Sequence, residues 1–161
     1  MAYIVPGMNL IPQTTTMGCW YASAKMLITW RRGQVQMTEA SMPDPSEDPA
    51  SAALFASNSG VQNPAILPMA KRLGLESVPP MSPTPEAIES WLRRYGPLWV
   101  NGKTHIVVIA GINGNNLLVY NPAPVGTGGI QWLSFDWYIG GSASARDTGA
   151  DVQTVFLHCP H

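Results

Sequence analysis

Four side chains have types and spacing suited to acyl transfer: Gln13, Cys19, His105 and Asn121, in that chain order. A thiol attacks a carbonyl only as the thiolate, and a free cysteine with a pKa near ~8.5 is mostly protonated at neutral pH. The anion is favoured at a helix N-terminus, where unpaired N–H groups carry partial positive charge, and beside an imidazole that keeps the proton as an ion pair. Cys19 follows Gly18 at the end of a polar loop and opens a segment of helical spacing. His105 is the only histidine outside the last four residues, and it begins a strand-like run. By residue type alone, Cys19 also fits an inert packing thiol and His105 a polar strand end.

The remaining two residues sharpen the pattern. The run 105–112 turns at Asn113-Gly114-Asn115-Asn116 and returns through 117–121, so Asn121 emerges beside His105 at one end of a hairpin. An amide there can fix the tautomer and orientation of the imidazole. The Asn121-Pro122 step also reads as a plain strand terminator. Gln13 lies six residues before Cys19 on the loop leading to it. Its amide can donate to an oxyanion formed over the cysteine, together with the Cys19 N–H. Otherwise a loop glutamine is simply solvated.

The elements that must position these groups are legible in outline. Residues 1–18, with Pro6, Gly7, Pro12 and three consecutive threonines, read as an extended arm and loop. Apolar residues recur at three and four positions over 19–32, and Arg31, Arg32 and Gly33 mark the end of that helix. Residues 40–64 are mostly loop, with a short helix over 50–56. Further helices are expected at 64–73, ended by Gly74, and at 86–95, where Thr84-Pro85-Glu86 supplies a cap, an N1 proline and an acidic first turn. After Gly96-Pro97 the pattern becomes strand-like: 98–101, 105–112, 117–121, 130–135 and 152–158. Helices first and a mainly antiparallel sheet second imply an α+β fold, with the Cys19 helix packed on the sheet.

The bulk numbers exclude several function classes. At 161 residues the chain reads as one domain, 1–161, able to bury a core without a disulfide or metal to hold it. Charged residues make up only 12%, and the net charge of −1 leaves no basic excess for a phosphate backbone, so nucleic acid is not expected as a partner. No apolar run reaches the ~20 residues of a membrane span, and the first ten residues lack a basic region followed by an apolar core. The expected protein is soluble, with no cleaved signal peptide. Cys19 and Cys159 are read as free thiols. His158 and His161 flank Cys159-Pro160 at the tail without a second Cys/His cluster, so no metal site is assigned there. Gly126-Thr127-Gly128-Gly129 lacks a following Lys-Ser/Thr and is not a phosphate loop.

The segment from Gln13 through Gly18-Cys19-Trp20-Tyr21-Ala22-Ser23 resembles the nucleophile segment of papain-like cysteine peptidases. Gly96-Pro97-Leu98-Trp99-Val100, the run from His105 to Gly111, and Tyr120-Asn121-Pro122 resemble the strand, histidine and orienting-residue segments of the short bacterial members. The AvrRpt2-type effector peptidases are the best fit and the bacteriocin-processing peptidases a more distant one. The resemblance covers residues 10–32 and 95–125. Bacterial members usually place Asp where this chain has Asn121, as papain itself does. The Asp-Cys-Gly step of the bacteriocin-processing group is absent from Gly18-Cys19-Trp20.

The resemblance implies a cysteine protease or amidase with a Cys19-His105-Asn121 triad, Gln13 in the oxyanion hole, and substrate contacts at Gly18 and Trp20. No cofactor is required. The substrate it implies is a protein or peptide, with peptidoglycan peptides, acyl transfer and a catalytically silent binding module as alternatives. By analogy, such a protein is a secreted or injected bacterial effector or toxin that travels with a cognate immunity or inhibitor protein.

Overall fold

The computed structural model describes residues 2–34, 42–78, 83–101, 105–135 and 155–160. Its elements are β1 (Ala2–Ile4), α1 (Cys19–Gln34), a 3-10 turn (Pro45–Glu47), α2 (Pro49–Ala56), α3 (Asn63–Leu73), β2 (Glu76–Ser77), α4 (Pro85–Tyr95), β3 (Leu98–Asn101), β4 (Ile106–Asn113), β5 (Asn116–Asn121), β6 (Gly129–Ser134) and β7 (Phe156–His158). The strands form one antiparallel sheet in the order β2-β7-β3-β4-β5-β6, with β1 added on β4. The architecture is α+β, with the helix that begins at Cys19 packed on the sheet.

Strand β4 is the axis of the sheet. On one side it pairs with β5; on the other, β3 takes Ile106 to Ile109 and β1 takes Gly111 to Asn113. The sequence reading expected residues 1–18 to be arm and loop only. Ala2–Ile4 instead adds to the edge that β3 leaves unpaired, a three-residue strand too short to show a period of its own. The two-residue β2 went unread for the same reason. Of the expected strand 152–158, Phe156–His158 pairs with β2 and β3, while 152–154 lie outside the described residues.

Alternating side chains send the sheet's two faces into separate cores. Trp99, Ile106 and Val108 pack with Trp20, Ala24 and Leu27 of α1 and with Ile66 and Met69 of α3. Leu98, Val100, Val107 and Ile109 pack with Ile88 and Leu92 of α4. Each Leu, Ile, Val or Met among them, fully buried, contributes about 1.5–3 kcal/mol. Trp30, near the end of α1, touches both cores, and its Nε1 donates to the Pro6 carbonyl at 2.8 Å.

Local signals explain the helix ends. Helix α4 starts where Thr84 Oγ1 accepts from the Ala87 N–H at 3.0 Å, and Arg93 and Arg94 occupy its last turn. Helix α3 stops at Gly74, in the left-handed conformation at φ 78°. Helix α1 runs two residues beyond its expected end, through Gly33 to Gln34. At the tail, His158 is buried, its Nδ1 donates to the Cys159 carbonyl at 2.7 Å, and its ring stacks on Tyr95 with centroids 3.7 Å apart. His161 lies outside the described residues.

Gly96 ends α4 at φ 95°, and a Cβ there would run into the six-membered ring of Trp30. Gly96→Ala therefore combines a disfavoured backbone with a collision against a shared core side chain. It should lower stability by about 2–3 kcal/mol, read as a fall in the urea midpoint at unchanged m-value.

Candidate active site

Cys19 is the first residue of α1, and the Gly18 carbonyl accepts the first helical bond, from Ala22 N–H at 3.0 Å. The loop before it is folded on itself, with Gly18 N–H donating to the Thr15 carbonyl at 3.2 Å. A Cβ on Gly18 would lie 2.6 Å from Thr15 Oγ1, so a bare Cα lets this turn close. Two long-range bonds pin the first turns of α1 to the sheet. Trp99 Nε1 donates to the Trp20 carbonyl at 3.2 Å, and Ser23 Oγ to the Ile106 carbonyl at 3.4 Å.

Ile106 meets α1 through both of its backbone groups. Its carbonyl faces Ser23, and its N–H faces the Cys19 thiol. Burial pushes that thiol above its ordinary value, opposed by the N–H groups of Ile106, Trp20 and Cys19 itself. This modifies the expectation from sequence. The helix N-terminus does offer donors to the sulfur, but half-burial outweighs them, and the site as it stands favours a neutral thiol.

His105 lies immediately before β4, with Nε2 2.6 Å from Asn121 Oδ1. The Ala123 N–H also reaches Asn121 Oδ1, at 2.9 Å, and an N–H can only donate. The amide oxygen is therefore the atom turned to the ring, and His105 Nε2 carries the hydrogen. Nδ1 is left as the basic nitrogen. The register brings the two residues together: Val108 opposite Tyr120 puts Asn121 one step further along, near the entrance of β4.

Gln13 is buried at 4% exposure, unlike a solvated loop glutamine. Its Nε2 donates to the Thr15 and Thr16 carbonyls at 2.9 and 3.1 Å, which fixes the orientation of the amide. Its main chain is clamped: Gln13 N–H donates to the Pro122 carbonyl and the Gly126 N–H to the Gln13 carbonyl, each at 2.9 Å. The loop before Cys19 is thus sewn to the loop after Asn121. All four residues singled out by type and spacing converge on one end of β4.

The assignment of substrate contacts to Trp20 and Gly18 needs correction. Trp20 is fully buried, its Nε1 donates to the Ser59 carbonyl at 2.9 Å, and its ring meets Tyr21 edge-on. It is a core side chain that fixes α1 to the turn after α2, and it has no surface to offer a ligand. Gly18 is buried as well, against Thr15 and Phe55. Sequence reasoning also missed Asn58, whose side chain bonds Thr16 and Met17. Asn58-Ser59-Gly60 reads as a turn, but nothing local names its distant partners.

The family of papain-like cysteine proteases typified by AvrRpt2 matches residues 3–140. The chain belongs to that family. It is a cysteine peptidase of papain-like α+β fold. No curated protein matches it. Among solved structures, that of UfSP from C. elegans is similar at a TM-score of 0.64 and 15% identity, over 99% of this chain; the protease spans only 34% of that protein. A double glycine motif protease from an AMS/PCAT transporter, solved in complex with a leader peptide, is similar at 0.57 and 17% identity, over 97% of this chain and 94% of that one. The peptidase domain of Streptococcus ComA, a bifunctional ABC transporter of a quorum-sensing pathway, is similar at 0.52 and 20% identity, over 96% and 100%. These likenesses are of fold.

The two thiols of the protease sit in opposite settings. Cys159 is fully buried, donates to the Leu27 carbonyl at 3.5 Å, and is pushed up to about 12 by burial. In the native protein at pH 8, iodoacetamide should label Cys19 at least about a hundredfold faster than Cys159, and the two should react alike in denaturant. Site-resolved mass spectrometry reads both rates.

Proposed function

We propose that the protease hydrolyses peptide bonds through a Cys19-His105-Asn121 triad, with the Gln13 amide and the Cys19 N–H forming its oxyanion hole. The observation that carries this reading is the 2.6 Å bond between His105 Nε2 and Asn121 Oδ1, at the entrance of the strand whose Ile106 N–H faces the Cys19 thiol. With Nε2 held, His105 Nδ1 takes the thiol proton. The resulting imidazolium offsets the burial of the sulfur, so thiolate and imidazolium form together as an ion pair.

The thiolate adds to the substrate carbonyl and charge develops on its oxygen. The N–H of Cys19, the first residue of α1, is free of helical bonding and can meet that oxygen. Gln13 Nε2 has two hydrogens and donates to the Thr15 and Thr16 carbonyls, so in this reading it exchanges one of these bonds for a bond to the oxyanion. Collapse expels the amine, which takes the proton from His105. Water, deprotonated by the same imidazole, then releases the acyl group and restores the thiol. No cofactor enters any step.

The substrate in this reading is an extended peptide or an unfolded protein segment, with the whole chain 1–161 acting as one domain. Membership of a family typified by AvrRpt2 supports a role as a secreted or injected effector or toxin paired with a neutralising partner. No helix among the described residues is long and apolar enough to cross a membrane.

The test has two arms. Cys19→Ala should lower hydrolysis of unstructured proteins or peptidoglycan peptides by at least about a thousandfold. Retained turnover would defeat the proposal. The second arm is the pH dependence of Cys19 alkylation. With His105 in place, ion-pair formation should let Cys19 react at lower pH than burial alone would allow. In His105→Ala only burial and backbone donors remain, and burial outweighs them, so reactivity should move above the ordinary ~8.5. Identical profiles in the two proteins would remove the ion pair and the triad with it.

A further inference from the structure

The turn that ends α2 holds none of the groups assigned to the chemistry, yet it grips the loop between Gln13 and Cys19. Asn58 Oδ1 accepts from the Met17 N–H at 3.0 Å, and its Nδ2 donates to Thr16 Oγ1 at 2.9 Å. The next carbonyl, Ser59, accepts from Trp20 Nε1 at 2.9 Å. Thr16 passes the constraint inward, since its own carbonyl accepts from Gln13 Nε2 at 3.1 Å. A short chain of bonds therefore runs from Asn58 through Thr16 to the amide of Gln13.

Two features set Asn58 apart from an ordinary turn residue. It sits at φ 52°, the only non-glycine residue with positive φ among the described residues. Asparagine tolerates this left-handed conformation better than most side chains, and it alone combines that tolerance with an amide. Asn58 is also exposed, so its bonds do not satisfy an otherwise stranded buried group. They span 41 and 42 residues of sequence and end on the loop that carries the nucleophile.

We infer that Asn58 is a positioning residue for the oxyanion hole, holding Thr16 and Met17 so that the Gln13 amide keeps its aim. The inference rests on the role given to Gln13 above. It requires a selective effect. Loss of Asn58 weakens stabilisation of charge on a carbonyl oxygen but leaves the nucleophilicity of the sulfur, which His105 and the Ile106 N–H govern.

Two reagents separate these effects without a natural substrate. Iodoacetamide forms an S–C bond at Cys19 as iodide leaves, and no oxyanion develops. With p-nitrophenyl acetate the sulfur adds to the carbonyl, an oxyanion forms, and p-nitrophenolate departs to leave the acetyl thioester, the thiol proton having passed to His105. Asn58→Gly keeps the left-handed backbone and removes the amide. It should slow acetylation of Cys19 by about tenfold and leave alkylation within about twofold of the parent. Thr16→Val, which removes the acceptor of Asn58 Nδ2 at an exposed position, should act in the same direction and serves if Asn58→Gly does not fold. An unchanged acetylation rate, or a proportional fall in both rates, overturns the inference. Gln13→Ala distinguishes the two levels. If it slows acetylation selectively while Asn58→Gly does not, only Asn58 loses its role. If it has no effect, the reading of Gln13 falls and this one with it.

Discussion

The site depends on how the first turn of α1 docks against the entrance of β4. Ile106 is the hinge of that contact, with its N–H toward the Cys19 thiol and its carbonyl toward Ser23, one helical turn further on. The Trp99 indole adds a bond from β3 to the Trp20 carbonyl. Because each partner is a backbone group or a buried side chain, the helix cannot slide along the sheet without stranding polar atoms, at about 1–3 kcal/mol each. Cys19 and His105 lie 86 positions apart in sequence, and this seam sets their relation.

Around that seam the protein uses short local ties to hold three loops together. The loop before Cys19 is clamped through Gln13 to Pro122 and Gly126, and through Thr16 and Met17 to Asn58. Asn121 serves both sides, orienting His105 while its Oδ1 also accepts the Ala123 N–H that starts the following loop. The fixed charges lie elsewhere. Lys25 pairs with Asp44, Arg32 with Glu47, and Arg72 with Asp48, tying the segment after α1 to α1 and α3. With no carboxylate or permanent cation built into the described part of the site, the protonation of His105 is the main variable charge near the thiol, which suits a nucleophile armed by proton transfer.

Much of this was legible before folding, because it is encoded locally. Helix α1 shows its apolar spacing and its terminal arginines, α4 its Thr84 cap and Pro85, and the β4–β5 hairpin its two apolar runs around an Asn-Gly turn. The hairpin brings Asn121 back towards His105, and a register shift between Ile109 and Gly111 moves it one residue closer. What was misread depended on distant partners. Ala2–Ile4 is a strand only because β3 ends and leaves an edge of β4 free. Trp20 was expected to contact substrate because it follows Cys19, but successive helix residues turn about 100° apart, and Trp20 turns into the core.

The sequence by itself determined the chemical type of the protein. Glutamine, cysteine, histidine and asparagine in that chain order, on a loop, a helix start, a strand start and a strand end, point to thiol chemistry. Only the tertiary structure decided how the groups meet. It decided that Gln13 is buried and clamped, that burial outweighs backbone donation at the Cys19 sulfur, that Trp20 is core, and that Asn58 is bonded to the nucleophile loop. The physical reason is the range of the interactions involved. Propensity, capping and period act within a few residues and are written in the local sequence, whereas desolvation and long-range hydrogen bonds depend on which surfaces are pressed together, and only the folded chain fixes that.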